Sequence, residues 1–403
     1  MPRAQRTAIA ALLVVIGLLA GPVATSAASS ARVDGAFRGG VIPGSSVTPA
    51  GDAPVWAWVI DTKPTTPSYT PDAKHQSSSA GDAHGTITRS SRGYYVVEFV
   101  DFTQQNGPVH VTPLSTSGLV MCDVDWLNNV AGGDVGDFHA YTDIYLHCFN
   151  DAGRPTDTPY VVDFLAQGTS NAAAVAYELE ETAVSSGTDT PPDYDQHNFK
   201  GYTDTVVRLA GVGQYEAVFP GLFSSVGGVQ VTAYGDKAVC AIDHSYIHLS
   251  HSQIASLHVL IQCRAPNGAA LDSGFSVSFT SQTGLKGTAD GHQAYLFADQ
   301  PSAASYSSDV DSFSTTGLSA AITRASAGAY AVSLPRLGLY GAIQVTAVGG
   351  QASGPTLDVR CLIRSIQDRP GTPPRNASEK IGVNCYDRSG HAVDSEFTLD
   401  YAR

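Results

Sequence analysis

The sequence predicts an all-β protein made of three tandem immunoglobulin-like antiparallel β-sandwich domains, each with one intradomain disulfide. Three observations carry this. One landmark pattern is written three times, six cysteines fall two to a copy, and short alternating apolar runs are separated by clusters of Gly, Pro, Asn, Asp and Ser. No part of the chain after its leader shows a sustained helical stripe.

The pattern can be followed by position. Gly93, Tyr95 and Phe99 share their spacing with Gly213, Tyr215 and Phe219 and with Gly328, Tyr330 and Leu334. A Val-Thr pair follows in each copy (Val111-Thr112, Val231-Thr232, Val345-Thr346), then two cysteines, then Gly153, Gly268 or Gly390, and four residues later Asp157, Asp272 or Asp394. First cysteines recur at intervals of 118 and 121, so a unit is domain-sized rather than solenoid-sized.

In the first copy, period-two alternation predicts strands over 55–60, 85–89, 94–99, 109–114, 121–127, 144–149 and 160–165. In the second it predicts strands over 206–208, 214–219, 229–234, 238–242, 257–263 and 275–279. Residues 171–179 hint at a helix but match the place where the third copy starts a strand at Tyr295, and are read as strand. The expected domains are 53–167, 174–283 and 292–403. Connections this short restrict rotation, so a rod with limited bending is expected.

Residues 1–28 read as a signal peptide: Arg3 and Arg6, then 13 apolar or small residues from Ala8 to Ala20, then a small-residue cleavage region. Thirteen residues are too few to span about 30 Å of hydrocarbon, and no cysteine or apolar tail suggests a membrane anchor. Residues 29–52, rich in Gly, Ser, Val and Pro, read as a flexible lead. Secretion to the extracellular space is expected. A net charge of −14 argues against a nucleic-acid surface, which needs a basic footprint. In an oxidising compartment the cysteines read as disulfides within each copy, Cys122 with Cys148, Cys240 with Cys263 and Cys361 with Cys385. The rival is zinc, but no copy has a CxxC or a Cys/His set at finger spacing. Closing a loop of 26 residues stabilises by roughly 3 kcal/mol in the chain-entropy model.

Candidate chemistry is sparse. His244, His248 and His251 crowd the stretch between the cysteines of the second copy, where imidazoles can hold a transition metal or simply face solvent. Asp189, Asp193 and Asp195, or Asp309 and Asp311, carry oxygen ligands for calcium but lack a glycine-punctuated loop. No cofactor is indicated. Asp157, Asp272 and Asp394 read as structural, bonding backbone amides ahead of the last strand, and Arg89, Arg208 and Arg324 as partners of a carboxylate across the sheet. Flat aromatic rings stack on sugars. Trp58 aligns with Tyr295 and reads as core, whereas Trp126 has no aromatic counterpart in the other copies and is the binding candidate.

No Gly-x-Ser-x-Gly elbow, His-Glu-x-x-His, phosphate loop or dinucleotide fingerprint occurs in the chain. The combination of Pro301 and Tyr306, Ile322-Thr323-Arg324, Gly328-x-Tyr330-x-Val332 and the run from Gln344 to Ala347 resembles a family of secreted bacterial proteins, common in actinomycetes, built from tandem β-sandwich repeats with two cysteines each. The resemblance implies secretion and a repeat architecture, and carries over no site residue. The expected function is a noncatalytic extracellular binding or structural array, monomeric, meeting a surface polysaccharide or a surface protein. The alternative is a secreted hydrolase with an unrecognised active site.

Overall fold

The computed structural model describes residues 55–403 apart from 80–84, 101–106, 131–139, 167–173, 194, 224–226, 236, 250–253, 285, 287–290, 309–310, 350–357 and 370–376. The expected signal peptide, 1–28, and flexible lead, 29–52, lie outside the described residues. Everything regular among the described residues is strand or short turn, as the alternation predicts.

The first segment of the chain runs β1 (Val55–Asp61), β2 (Ser68–Tyr69), β3 (Gln76–Ser78), β4 (Gly85–Ser91), β5 (Tyr94–Val100), β6 (Val109–Pro113), β7 (Val120–Val130), β8 (Tyr141–Asn150) and β9 (Tyr160–Ala166). Four strands pair in the order β3-β1-β9-β6, and five in the order β7-β8-β5-β4-β2. The middle segment runs β10 (Ala174–Glu180), β11 (Thr188–Asp189), β12 (Gln196–Asn198), β13 (Thr205–Arg208), β14 (Gln214–Pro220), β15 (Gly228–Tyr234), β16 (Val239–Leu249), β17 (Ala255–Arg264) and β18 (Gly274–Ser281). Its orders are β12-β10-β18-β15 and β16-β17-β14-β13-β11. The last segment runs β19 (Gln293–Ala298), β20 (Ser305–Ser308), β21 (Phe313–Ser314), β22 (Ala320–Ser326), β23 (Ala329–Leu334), β24 (Ala342–Val348), β25 (Val359–Arg369), β26 (Ser378–Asp387) and β27 (Glu396–Ala402). The same two orders recur there, β21-β19-β27-β24 and β25-β26-β23-β22-β20.

Two details depart from the immunoglobulin arrangement. The first long strand of each segment pairs antiparallel with the last, as Val59 does with Val162. Each disulfide joins neighbouring strands of one sheet, Cys122 lying directly opposite Cys148, rather than bridging two sheets. The other pairs, Cys240 with Cys263 and Cys361 with Cys385, repeat that geometry.

The expected rod does not form. β15 continues the five-stranded sheet of the first segment through a parallel pair, Tyr234 with Val124, and β24 does the same for the middle segment through Val348 and Ile242. A parallel bridge from Leu114 to Ile363 then ties the first segment to the last. The segments thus close cyclically, with β6, β15 and β24 touching one another at the centre. These central strands are buried on both faces, which makes their polar side chains interior groups. Thr112 accepts from the Val345 amide at 3.0 Å and donates to Gln344 Oε1 at 2.7 Å. Thr346 likewise accepts from the Val231 amide at 3.1 Å and donates to Gln230 Oε1 at 2.7 Å. Thr232 completes the cycle by accepting from the Val111 amide at 3.2 Å. The Val-Thr landmark is therefore the joint between segments. At one end of this centre Arg360, 3% exposed, donates to the carbonyls of Pro266 and Ala265 at 2.8 and 3.1 Å, stitching the last segment to the middle one.

Candidate functional site

Burying the four-stranded sheets leaves the outer faces of the five-stranded sheets available to a ligand. The first segment has the most aromatic one. Along β7 the register shifts between Val124 and Trp126, a β-bulge that sets two residues against one. Before the bulge Val124 points into the core with no exposure, and after it Trp126 points outward and is 60% exposed. The bulge recurs between Ile242 and His244 on β16 and between Ile363 and Ser365 on β25, so the same position carries a different side chain in each segment.

Trp126 lies opposite Tyr145, which lies opposite Val96 and then Thr88, forming one row across four strands. The next row, two residues along, is Asn128, Asp143, Glu98 and Thr86. Burial pushes Asp143 up to about 6, the facing Glu98 carboxylate pushes the same way, and a hydrogen bond from Asn128 opposes both. On the other flank His147 packs edge-on against Tyr94 with centroids 4.4 Å apart and sets Nε2 3.3 Å from Asp125 Oδ2. Lys237 of the middle segment sits 5.4 Å over the Tyr94 ring, closing that border. The result is a flat face with one projecting indole, a half-buried phenol beside it, and amide and carboxyl groups within reach, a combination that can stack on a sugar ring and bond its hydroxyls.

The remaining candidates fall elsewhere. Trp58 is 3% exposed and packs in the core shared with the last segment, while Trp56 is half-buried under Lys286, whose Nζ lies 4.0 Å from the ring centroid. His244 takes the position of Trp126 in the middle segment, with Nδ1 2.9 Å from Asp243 Oδ2. His248 is four residues further along the extended β16, about 13 Å away at strand rise. The His248 side chain, His251 and Asp309 lie outside the described residues. Among the described residues no three His, Cys, Asp or Glu side chains are grouped to hold a metal ion.

The recurring aspartates do what their spacing suggests. Asp157 receives Arg89 Nε and Nη2 at 2.9 Å each and the Gly93 amide at 2.8 Å, with the Tyr95 hydroxyl at 3.2 Å. Asp272 is held by Arg208, Gly213 and Tyr215, and Asp394 by Arg324, Gly328 and Tyr330. The landmark glycine adopts φ of +70°, +68° and +65° in the three places, and a Cβ there would strike the carbonyl oxygen of Cys148, Cys263 or Cys385. These are fixtures of the fold, partly exposed but with the carboxylate oxygens already taken up by arginine, glycine and tyrosine donors.

One cleft was not visible in the sequence. About 270 Å³ opens between the middle and last segments, lined by Asp243, His244, Phe297, Asp311, Glu396 and Thr398 among others. At the matching junction of the first and middle segments Tyr234 takes the place of Val348, and its hydroxyl accepts from the Leu127 amide at 2.9 Å. The smaller valine leaves the second junction open. Tyr145, Asn128, Asp143 and Glu98 also escaped the sequence reading. For Tyr145, Asp143 and Glu98 the signal was the outward half of the alternation on β5 and β8, but only the bulge shows that Trp126 and Asn128 join that face. No protein-family model, curated protein or solved structure matches this chain.

Proposed function

We propose that the protein is a secreted, noncatalytic extracellular binding protein of three tandem copies, related to the actinomycete-type repeat family, that docks on a surface polysaccharide through the outer face of its first segment. The supporting observation is Trp126, 60% exposed on a flat sheet face with Tyr145 opposite it and hydrogen-bonding groups in the next row. The exposed indole adds nothing to the core, and the phenol and polar groups beside it give this face the composition of a sugar-stacking surface. The test is retention of the intact protein on a panel of insoluble polysaccharides, wild type against Trp126→Ala. Truncating a central interface tryptophan commonly costs about 2 kcal/mol, or roughly thirtyfold in affinity. Folding should be unchanged, because the indole leaves no cavity behind. Equal retention of the variant would refute the reading.

The hydrolase alternative has the cleft between the middle and last segments in its favour, where burial, seconded by Asp299, raises Asp311 and Glu396. It requires turnover of some polymer that Glu396→Gln abolishes.

A further inference from the structure

Asp143 and Glu98 are directly opposite each other on β8 and β5. Like charges in that relation destabilise a strand pair, and the ion pairs that join β7 to β8, His147 with Asp123 and with Asp125, involve neither carboxylate. Asn128 supplies only a neutral hydrogen bond to Asp143. The pair belongs to the row next to Trp126 and Tyr145, about 7 Å along the strands, within the span of one pyranose ring and its substituents. A sugar stacked on the indole therefore presents a ring substituent to two uncompensated carboxylates. An acidic sugar would be repelled there. A neutral one would leave the repulsion standing, and an ammonium substituent would neutralise it.

Resting on the polysaccharide-binding reading above, we infer that the Trp126 face selects polymers of amino sugar with free ammonium groups, the indole and Tyr145 taking the ring and Glu98 with Asp143 taking the amine. Charge complementarity and the aromatic platform together specify this occupant. Either alone would admit a neutral glycan or a basic peptide.

The test is titration calorimetry of the intact protein, at 150 mM salt and pH 6.5, with a glucosamine hexasaccharide and with its fully N-acetylated counterpart. Wild type should bind the free amine about tenfold more tightly, the scale of two partly exposed ion pairs. Glu98→Gln with Asp143→Asn should remove that preference and leave binding of the N-acetylated sugar intact, while Trp126→Ala should weaken both by roughly thirtyfold. Asp189→Asn with Asp193→Asn, an equal charge change at exposed positions of the middle segment, should alter nothing. Equal affinity of wild type for the two sugars, or a loss in the Asp189/Asp193 variant as large as in the Glu98/Asp143 variant, would overturn the inference. So would pentalysine binding that survives Trp126→Ala but needs the two carboxylates. If Trp126→Ala changes neither sugar, the polysaccharide reading itself fails. If it weakens both while the carboxylate variant behaves as wild type, only the amine assignment fails.

Discussion

The aspartate that precedes the last strand of each segment shows how one side chain fixes a turn. Asp394 collects two guanidinium hydrogen bonds, one backbone amide and one phenol, so that the hairpin of β22 and β23 is held to the approach of the last strand at one carboxylate. The hydrogen bond from Arg324 leads in holding Asp394 below the usual carboxylate range. At Asp157 and Asp272 burial pushes upward, and the arginine and glycine donors outweigh it. Because these carboxyls titrate lower in the folded state than unfolded, their stabilisation is present above about pH 4 and is lost as pH falls through their lowered range. Asp394→Asn should therefore lower stability by on the order of 1–2 kcal/mol at pH 7, given the partial exposure of the site. The deficit should vanish toward pH 2, measured by urea unfolding. This much was legible in the sequence, since the aspartate recurs four residues after a turn glycine in every copy and an arginine recurs four or five residues before the landmark glycine. Trp126 was legible for the opposite reason, as a large aromatic with no counterpart in the other copies.

At the level of elements, strands of ordinary length announce themselves, very short ones do not, and which of a strand's faces end up covered stays hidden. β2 and β3 are two and three residues long, too short for alternation to register. β6, β15 and β24 carry His110, Gln230 and Gln344 beside their threonines, and polar residues at every second place read as a solvent face. In the fold that face is the joint between segments. His110 Nε2 lies 2.8 Å from Ser278 Oγ, and Asp163 and Asp400 occupy the corresponding strand positions, opposite His110 and Gln344. Burial raises Asp400 to about 7, with a hydrogen bond from Gln230 opposing, and burial, seconded by Asp400, raises Asp163. A carboxyl that titrates higher folded than unfolded stabilises most at low pH, and that contribution is lost as pH rises from about 4 through about 7. Asp400→Asn removes the titrating group. The fall in stability between pH 5 and pH 8 should then be smaller than in wild type, by on the order of 3 kcal/mol. Identical pH slopes in wild type and variant would contradict this view of the joint.

For the molecule as a whole, the consequence of the joint is that the described residues form one compact unit, with the four-stranded sheets inside and the five-stranded sheets outside. The sequence suggested a string because its connections are short and its copies alike, and neither property says which surfaces meet. The cyclic bonds were hidden in Thr112, Thr232 and Thr346, whose partners lie more than one hundred residues away. Closure also decides what a ligand can reach: the inner polar rows are lost to it, and the Trp126 face remains. Small-angle X-ray scattering from the chain beginning at residue 53 tests closure directly. A single body of this size should have a radius of gyration of about 20 Å, whereas three sandwiches in a line should exceed about 30 Å. A value near the first would support the closed arrangement, and one near the second would contradict it and return the central threonines and glutamines to solvent.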